Sequence, residues 1–308
     1  MLRLLLAAAL AALSACATAP VTTAGKRIAL TYDDAPREDG PLFSGTERAE
    51  RLVTALKAAR VRQAAFFVTT GHLDNPGGEA RLRAFTAAGH VLGNHSNAHT
   101  WLRRTSPEAY LADIDVAQGR LAAFDNVRPW FRYPYLDEGR DVVSRDAIRI
   151  GLKARALTNA YVTVDTYDWH IDSLVRKARK VDNKIDMAAL RTLYLEAIMS
   201  AVRFYDQIAT GALKRSPAHV LLLHENDMAA LFSGDLVKAL RAEGWTIVTA
   251  DEAFADPIAN DVPDTLFNGQ GRVAAYASLQ GKKPTELIDV YQDEEYLEKL
   301  FNERVVRD

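Results

Sequence analysis

"RIALTYDD", Arg27 to Asp34, is an apolar, β-rich run that stops abruptly on two carboxylates. It reads as a strand, and it has six companions further along the chain. They are "AAFFVTTG" from Ala64, "GHVLGNH" from Gly89, "RPWFRYPY" from Arg128, "AYVTVDTYDW" from Ala160, "HVLLLHEND" from His219 and "WTIVTADEA" from Trp245. Between them lie stretches of helical period. "TERAERLVTALKAARV" repeats Ala49, Leu52, Val53 and Leu56 at three- and four-residue steps. "TSPEAYLADIDVAQGRLAAF" opens with Ser106 as N-cap, Pro107 at the first helical position and Glu108 in the first turn. Strand alternating with helix predicts a parallel sheet covered by helices. By pattern alone, a barrel and a doubly wound open sheet both fit. In either, ligands bind beyond the carboxyl ends of the strands.

Those ends carry the chain's chemistry. The first has Asp33 and Asp34; the third His95 and His99; the fourth Arg132, Pro134 and Tyr135; the fifth Asp165, Asp168 and Trp169; the sixth His224, Glu225 and Asp227. Each has an ordinary explanation when taken singly: a paired Asp caps a helix, a Tyr-Pro makes a turn, a lone His sits satisfied in a core. Their shared place on strand ends is what a folded core does not require. With no thiolate available near them, a divalent ion such as zinc would take nitrogen and oxygen ligands. Two histidines and one carboxylate make an open three-ligand set. The histidines would share a face if "HSNAH" forms a helical turn. One of the two adjacent aspartates can ligate while its neighbour serves as a base.

The remaining sequence bounds the setting. The chain has 308 residues, 48% of them hydrophobic, and a formal net charge of -2. That balance gives no electrostatic case for nucleic acid, and nothing in the sequence sets an oligomeric state. The segment Ile171 to Pro217 is long for one connection. It holds a predicted helix with Leu190, Leu193, Tyr194, Ile198, Val202 and Tyr205 on one side, and it reads as a helical insertion. After Phe254 the strand–helix rhythm breaks, and a final helix is expected over Gln292 to Arg304.

Five of these stretches occur in the order found in one family. "TYDDA" (Thr31–Ala35), "HSNAH" (His95–His99), "RYPY" (Arg132–Tyr135), "DTYDW" (Asp165–Trp169) and "LLH" (Leu222–His224) resemble the motifs of the polysaccharide deacetylases, carbohydrate esterase family 4. The resemblance runs from about Arg27 to Ala250. It implies an α/β fold: a deformed (β/α)7-type barrel with a helical insertion and a C-terminal extension. It implies a metal-dependent hydrolase that removes N-acetyl groups from an amino-sugar polysaccharide or oligosaccharide of the cell envelope. An O-deacetylase, or a non-catalytic carbohydrate-binding lipoprotein, is the alternative. Carried over by motif position, Asp34, His95 and His99 would bind Zn2+ or another divalent metal. Asp33 would be the general base, oriented and kept ionised by Arg132. His224 would be the general acid, set by Asp168. Tyr135, Trp169 and Leu222 would contact substrate, the last two around the acetyl methyl group. The sequence departs from the family pattern at Tyr32, and at Ala35 where the family has Gly, followed here by Pro36. A positive φ required at Ala35 would be strained, so the following loop is expected to take its own path.

The N-terminus has its own signature. "MLRLLLAAALAALSAC" has one cation, Arg3, then an apolar run too short to span a bilayer, then small residues. "LSAC" resembles the bacterial lipoprotein box, with Cys16, the chain's only cysteine, as the lipidated residue. Residues 1–16 are thus expected to be a lipoprotein signal, 17–25 a tether, 26–255 the catalytic domain and 256–308 a C-terminal extension. Ala17 follows Cys16 where an Asp would favour inner-membrane retention. The expectation is a periplasm-facing lipoprotein held to the outer membrane of a bacterial envelope by its lipid anchor, with a glycan as substrate.

Overall fold

The computed structural model describes residues 25–307. The signal segment, Cys16 and nearly all of the tether lie outside the described residues. Seven parallel strands form one curled sheet: β1 (Arg27–Ala35), β2 (Ala65–Val68), β3 (Val91–Asn94), β4 (Val127–Phe131), β5 (Thr158–Asn159), β7 (Ala218–His224) and β8 (Thr246–Ile247). The order is β5-β4-β3-β2-β1-β7. β8 pairs only with Arg27 and Ile28 at the start of β1. A small antiparallel pair, β6 (Lys184–Ile185) with β9 (Val306–Arg307), stands apart.

The sheet closes through one stretch of chain. At β5 the backbone pairs with β4, where Ala160 N–H donates to Phe131 O at 2.8 Å. A few residues later it runs along the free edge of β7. There Leu222 N–H donates to Val164 O at 3.0 Å, and Thr163 and Val164 N–H both reach Val220 O. One segment thus bridges both sheet edges, and the fold is a deformed parallel barrel. Six of the seven predicted strands are present; the run from Ala160 forms no regular strand, and only Val164 within it bridges to Leu221.

Alternation along the strands sorts inside from outside. In β1, Ile28, Leu30 and Tyr32 are fully buried under the helices. Ala29, Thr31 and Asp33 alternate with them and face the barrel interior. In β2, Phe66 turns outward and stacks on Phe85, 3.9 Å between ring centres, while Phe67 turns inward. Phe254 plugs the interior, with Phe67, Trp130 and Tyr161 around its ring.

The outer layer comprises α1 (Gly45–Ala58), α2 (Gly78–Ala87), α3 (Pro107–Leu121), α4 (Val142–Ala154), α5 (Asp168–Lys180), α6 (Met187–Leu213) and α7 (Asp227–Ala242). After them come the short α8 (Ala250–Phe254), then α9 (Arg272–Leu279) and α10 (Glu294–Arg304). Ser106 caps α3 as expected, accepting from Ala109 N–H at 3.2 Å. The Ile171–Pro217 stretch is helical and packs into the main core. Leu190, Leu193, Tyr194, Ile198, Val202 and Tyr205, the six residues read as one face, are all fully buried. Each such side chain contributes roughly 1.5–3 kcal/mol of burial free energy, before side-chain entropy is counted against it. The expected final helix begins at Glu294 rather than Gln292, which ends a short 3-10 turn.

Candidate active site at the carboxyl ends of the strands

A cleft of about 640 Å3 opens over the strand ends, with Asp33, Asp34, His95, His99, Tyr135, Trp169, Leu222 and His224 on its walls. It gathers residues from four strands and the loops that follow them, and three local arrangements make it up.

The first is a three-ligand cluster. Asp34, His95 and His99 each present one ligand atom, all within 4.8 Å of one another. His95 Nε2 lies 3.5 Å and His99 Nε2 3.2 Å from Asp34 Oδ1. Neither contact has the alignment of a hydrogen bond, and this buried carboxylate oxygen has no other partner. His95 Nδ1 donates to Arg132 O at 2.8 Å, because a carbonyl can only accept. In the neutral ring the lone pair therefore sits on Nε2, facing Asp34. Burial by itself would raise the Asp34 carboxyl. The charge of a protonated His99, with help from the His224 cation, outweighs that and holds it well below the usual carboxylate range. An orphaned carboxylate oxygen facing two imidazole nitrogens is a donor set that fits a divalent ion with an open position.

These ligands converge by a route the sequence did not suggest. "HSNAH" is not a helical turn. It is an irregular loop with Ser96 at φ 66° and His99 at φ 52°, both left-handed. His99 N–H is held by Ser96 Oγ at 3.0 Å, while Asn97 and Ala98 N–H bond to Asp113 Oδ2. The positive φ looked for at Ala35 falls one residue earlier, at Asp34 (φ 69°). That turn swings Asp34 toward the histidines while Asp33 keeps its inward direction.

The second arrangement is Asp33 with Arg132. Arg132 Nη1 bonds both carboxylate oxygens of Asp33, at 2.9 and 3.2 Å. The guanidinium lies over the Phe67 ring at 4.2 Å and donates through Nε to Ala160 O. Its Nη2 lies 3.4 Å from Thr31 Oγ1. Arg132 is fully buried, so its side chain has one available pose. Asp33 Oδ2 also lies 3.7 Å from His95 Nε2, which places the carboxylate beside the cluster.

The third is His224 with Asp168. On adjacent strands, His224 is the register partner of Asp33. Its Nδ1 contacts Asp168 Oδ1 at 2.7 Å. Asp168 Oδ2 accepts from His224 N–H at 2.8 Å and from Asn226 Nδ2 at 3.1 Å. Burial lowers the imidazole's basicity, but Asp168, with help from Asp34 and Asp33, raises it to about 9. His224 is therefore a cation at neutral pH. "DTYDW", read as the end of a strand, instead opens α5: Asp168 is its first residue, where the helix dipole favours a negative charge.

Glu225 and Asp227 do not join the cleft. Glu225 is fully buried against Arg48, at 2.9 Å from its Nε, and accepts Arg37 N–H. Asp227 accepts Leu42 and Phe43 N–H. Both fasten the loop after β1. The sequence reading left other contributors unassigned. Asn226 orients Asp168. Trp101 packs at a tilt against Tyr135, 4.8 Å between ring centres, and the Arg103 guanidinium lies over the Trp101 ring at 3.9 Å. The buried Asp165 also lines the cleft. His90, assigned no role, is buried away from the cleft with Nδ1 on Ala64 N–H.

A parallel barrel with paired carboxylates, two imidazoles and an acid–base pair on its carboxyl rim defines a class of hydrolytic site. Comparison with known proteins shows what it is similar to. Residues 21–154 match the polysaccharide deacetylase family model. Chitin deacetylase 2 of Saccharomyces cerevisiae is 26% identical over 155 residues, 48% of this chain and 44% of the yeast protein. The match thus spans less than half of that relative's length. Among solved structures, a family 4 acetyl xylan esterase from Clostridium thermocellum, in complex with a cobalt ion, superposes with a TM-score of 0.52. It is 19% identical over 74% of this chain and 90% of its own. A family 4 pseudoenzyme from Bacillus anthracis gives 0.51 at 18% identity, over 75% and 66% of the two chains. Both share the fold. Residues 21–154 of this chain thus resemble a polysaccharide deacetylase domain, in line with the first three of the five motifs.

Proposed function

We propose that this protein is a metal-dependent hydrolase that removes N-acetyl groups from an amino-sugar polysaccharide or oligosaccharide of the cell envelope. The observation that carries the reading is the meeting of three arrangements in one cleft. Asp33, held by Arg132, and His224, held by Asp168, stand on neighbouring strands beside the Asp34–His95–His99 cluster.

Asp34, His95 and His99 would hold Zn2+ or another divalent ion. When bound, such an ion supplies Lewis-acid activation of water and of the acetyl carbonyl. The remaining roles belong to the chain. Asp33, fixed by Arg132, takes a proton from the attacking water. The backbone N–H of Tyr135, a residue of the cleft wall, would steady the developing oxyanion. His224 delivers a proton to the departing nitrogen, and Asp168 keeps its Nε2 turned to the cleft. An amine leaves poorly until protonated, and the cationic state of His224 suits that task. Trp169 and Leu222 form the apolar wall for the acetyl methyl group. A binding protein would need neither Asp33 nor His224 in these poses. The N-terminal sequence supports a lipoprotein anchored through Cys16 and facing the periplasm.

The test is acetate release from a panel of N-acetyl and O-acetyl glycans, with and without chelator. Release from N-acetylglucosamine polymers, abolished by chelator and restored by zinc, is expected. Release from O-acetyl glycans alone would assign the ester reading. Release from none would leave the non-catalytic one.

A further inference from the structure

The C-terminal segment lines the cleft at one place and holds one of its lining residues at another. Asn268, Gly269 and Gln270 form part of its wall, and Asn268 is pinned by donating Nδ2 to Gly139 O at 2.7 Å. Deeper, Gln292 donates Nε2 to Asp165 Oδ2 at 2.5 Å. The orientation of that amide is determined by its other end. Gln292 Oε1 receives the Asp289 backbone N–H at 2.9 Å and the Tyr205 hydroxyl at 2.8 Å. A backbone N–H can only donate, so the oxygen faces Asp289 and the NH2 faces Asp165. Asp289 is in turn held by Ser200 Oγ at 2.9 Å. A chain of side chains from α6 and the C-terminal segment thus ends on one carboxyl in the cleft.

That carboxyl has no part in the acid–base machinery, where Asp33 and Asp168 already fill both positions. It is 6% exposed. Among the described residues no Lys or Arg lies within ion-pairing distance of it. His224 and Arg132 act on it only from beyond ion-pairing distance, so its burial is costly unless its hydrogen-bonding capacity is used. Two oxygens offer about four acceptor positions, of which Gln292 and the Thr166 backbone N–H each take one. Burial pushes the group up to about 7, so it can also donate in its neutral form. It lines the cleft together with Tyr167 and Trp169, a setting in which a polar group fixes a ligand's orientation.

We propose that Asp165 is a substrate-binding residue that takes a hydroxyl group of the sugar, and that Gln292 is the positioning residue that holds its carboxyl toward the cleft. The inference deepens the glycan reading above and rests on it for the ligand class.

The test is calorimetric titration of the zinc-loaded chain with an N-acetylglucosamine trimer and, separately, with acetate, which has no sugar hydroxyl. Asp165→Asn and Gln292→Ala should each weaken trimer binding about tenfold or more and leave acetate binding unchanged. In turnover, Gln292→Ala should raise KM at unchanged kcat. A ligand-side series guards against a misfolded variant. Among trimers lacking single hydroxyls, one should bind the wild type more weakly yet bind Asp165→Asn as well as the full trimer does. Unchanged trimer affinity in both variants, equal loss for acetate, or no trimer binding by the wild type would overturn the proposal. Trimer binding that needs Asp165, without any acetate release, would uphold it while removing the deacetylase reading.

Discussion

At the scale of the residue, the site works by committing one end of each side chain so that the other is available. His95 spends Nδ1 on the Arg132 carbonyl and His224 gives Nδ1 to Asp168, so each turns Nε2 to the cleft. Asp33→Asn should therefore retain bound metal, because Asp34, His95 and His99 are untouched, while acetate release falls by about a hundredfold or more. Metal titration beside a rate assay checks this, and unchanged turnover would remove Asp33 from its role. The pH dependence follows from His224. Its acid form is present below about 9 and is lost as pH rises through that value. Acetate release should thus fall on the alkaline side, and Asp168→Asn should move that fall to lower pH. An alkaline limb indifferent to Asp168 would show that another group supplies the proton. The identities of these residues were legible in the sequence, since the chemistry demands particular side chains at strand ends. Their directions were not. Ser96, His99 and Asp34 all adopt left-handed backbone conformations that their residue types do not announce.

At the scale of the element, periodicity gave the strands and helices, and tertiary contacts then altered their ends. The strand read from Ala160 leaves the sheet near Val164, and Asp168 already belongs to a helix. Nothing local marks that change, which is set by pairing with β7. The loop after β1 shows what the fold invests in holding the cleft's edge. Arg48, on α1, lies fully buried between Glu225 and Asp227 and also donates to Arg37 O and Glu38 O. Arg48→Met would leave two buried carboxylates without their cation, at a cost of about 3–5 kcal/mol. Urea unfolding should show that loss. A variant within 1 kcal/mol of wild type would mean the loop is held mainly by other contacts.

At the scale of the whole molecule, the barrel and its insertion could be anticipated, whereas the C-terminal segment's share in the cleft could not. Asp165 and Gln292 are 127 positions apart, and only the closed fold brings them together. The expected lipid anchor bears on the same scale. Cys16→Ser should move the protein from the membrane fraction to the soluble one; a variant still in the membrane fraction would contradict anchoring at Cys16. The most direct test of the account is acetate release by chelator-stripped protein as zinc is added back. Activity should rise to a plateau near one equivalent, with no recovery when His95 and His99 are both replaced by Ala. Equal release before and after stripping, or full recovery in that double variant, would contradict it.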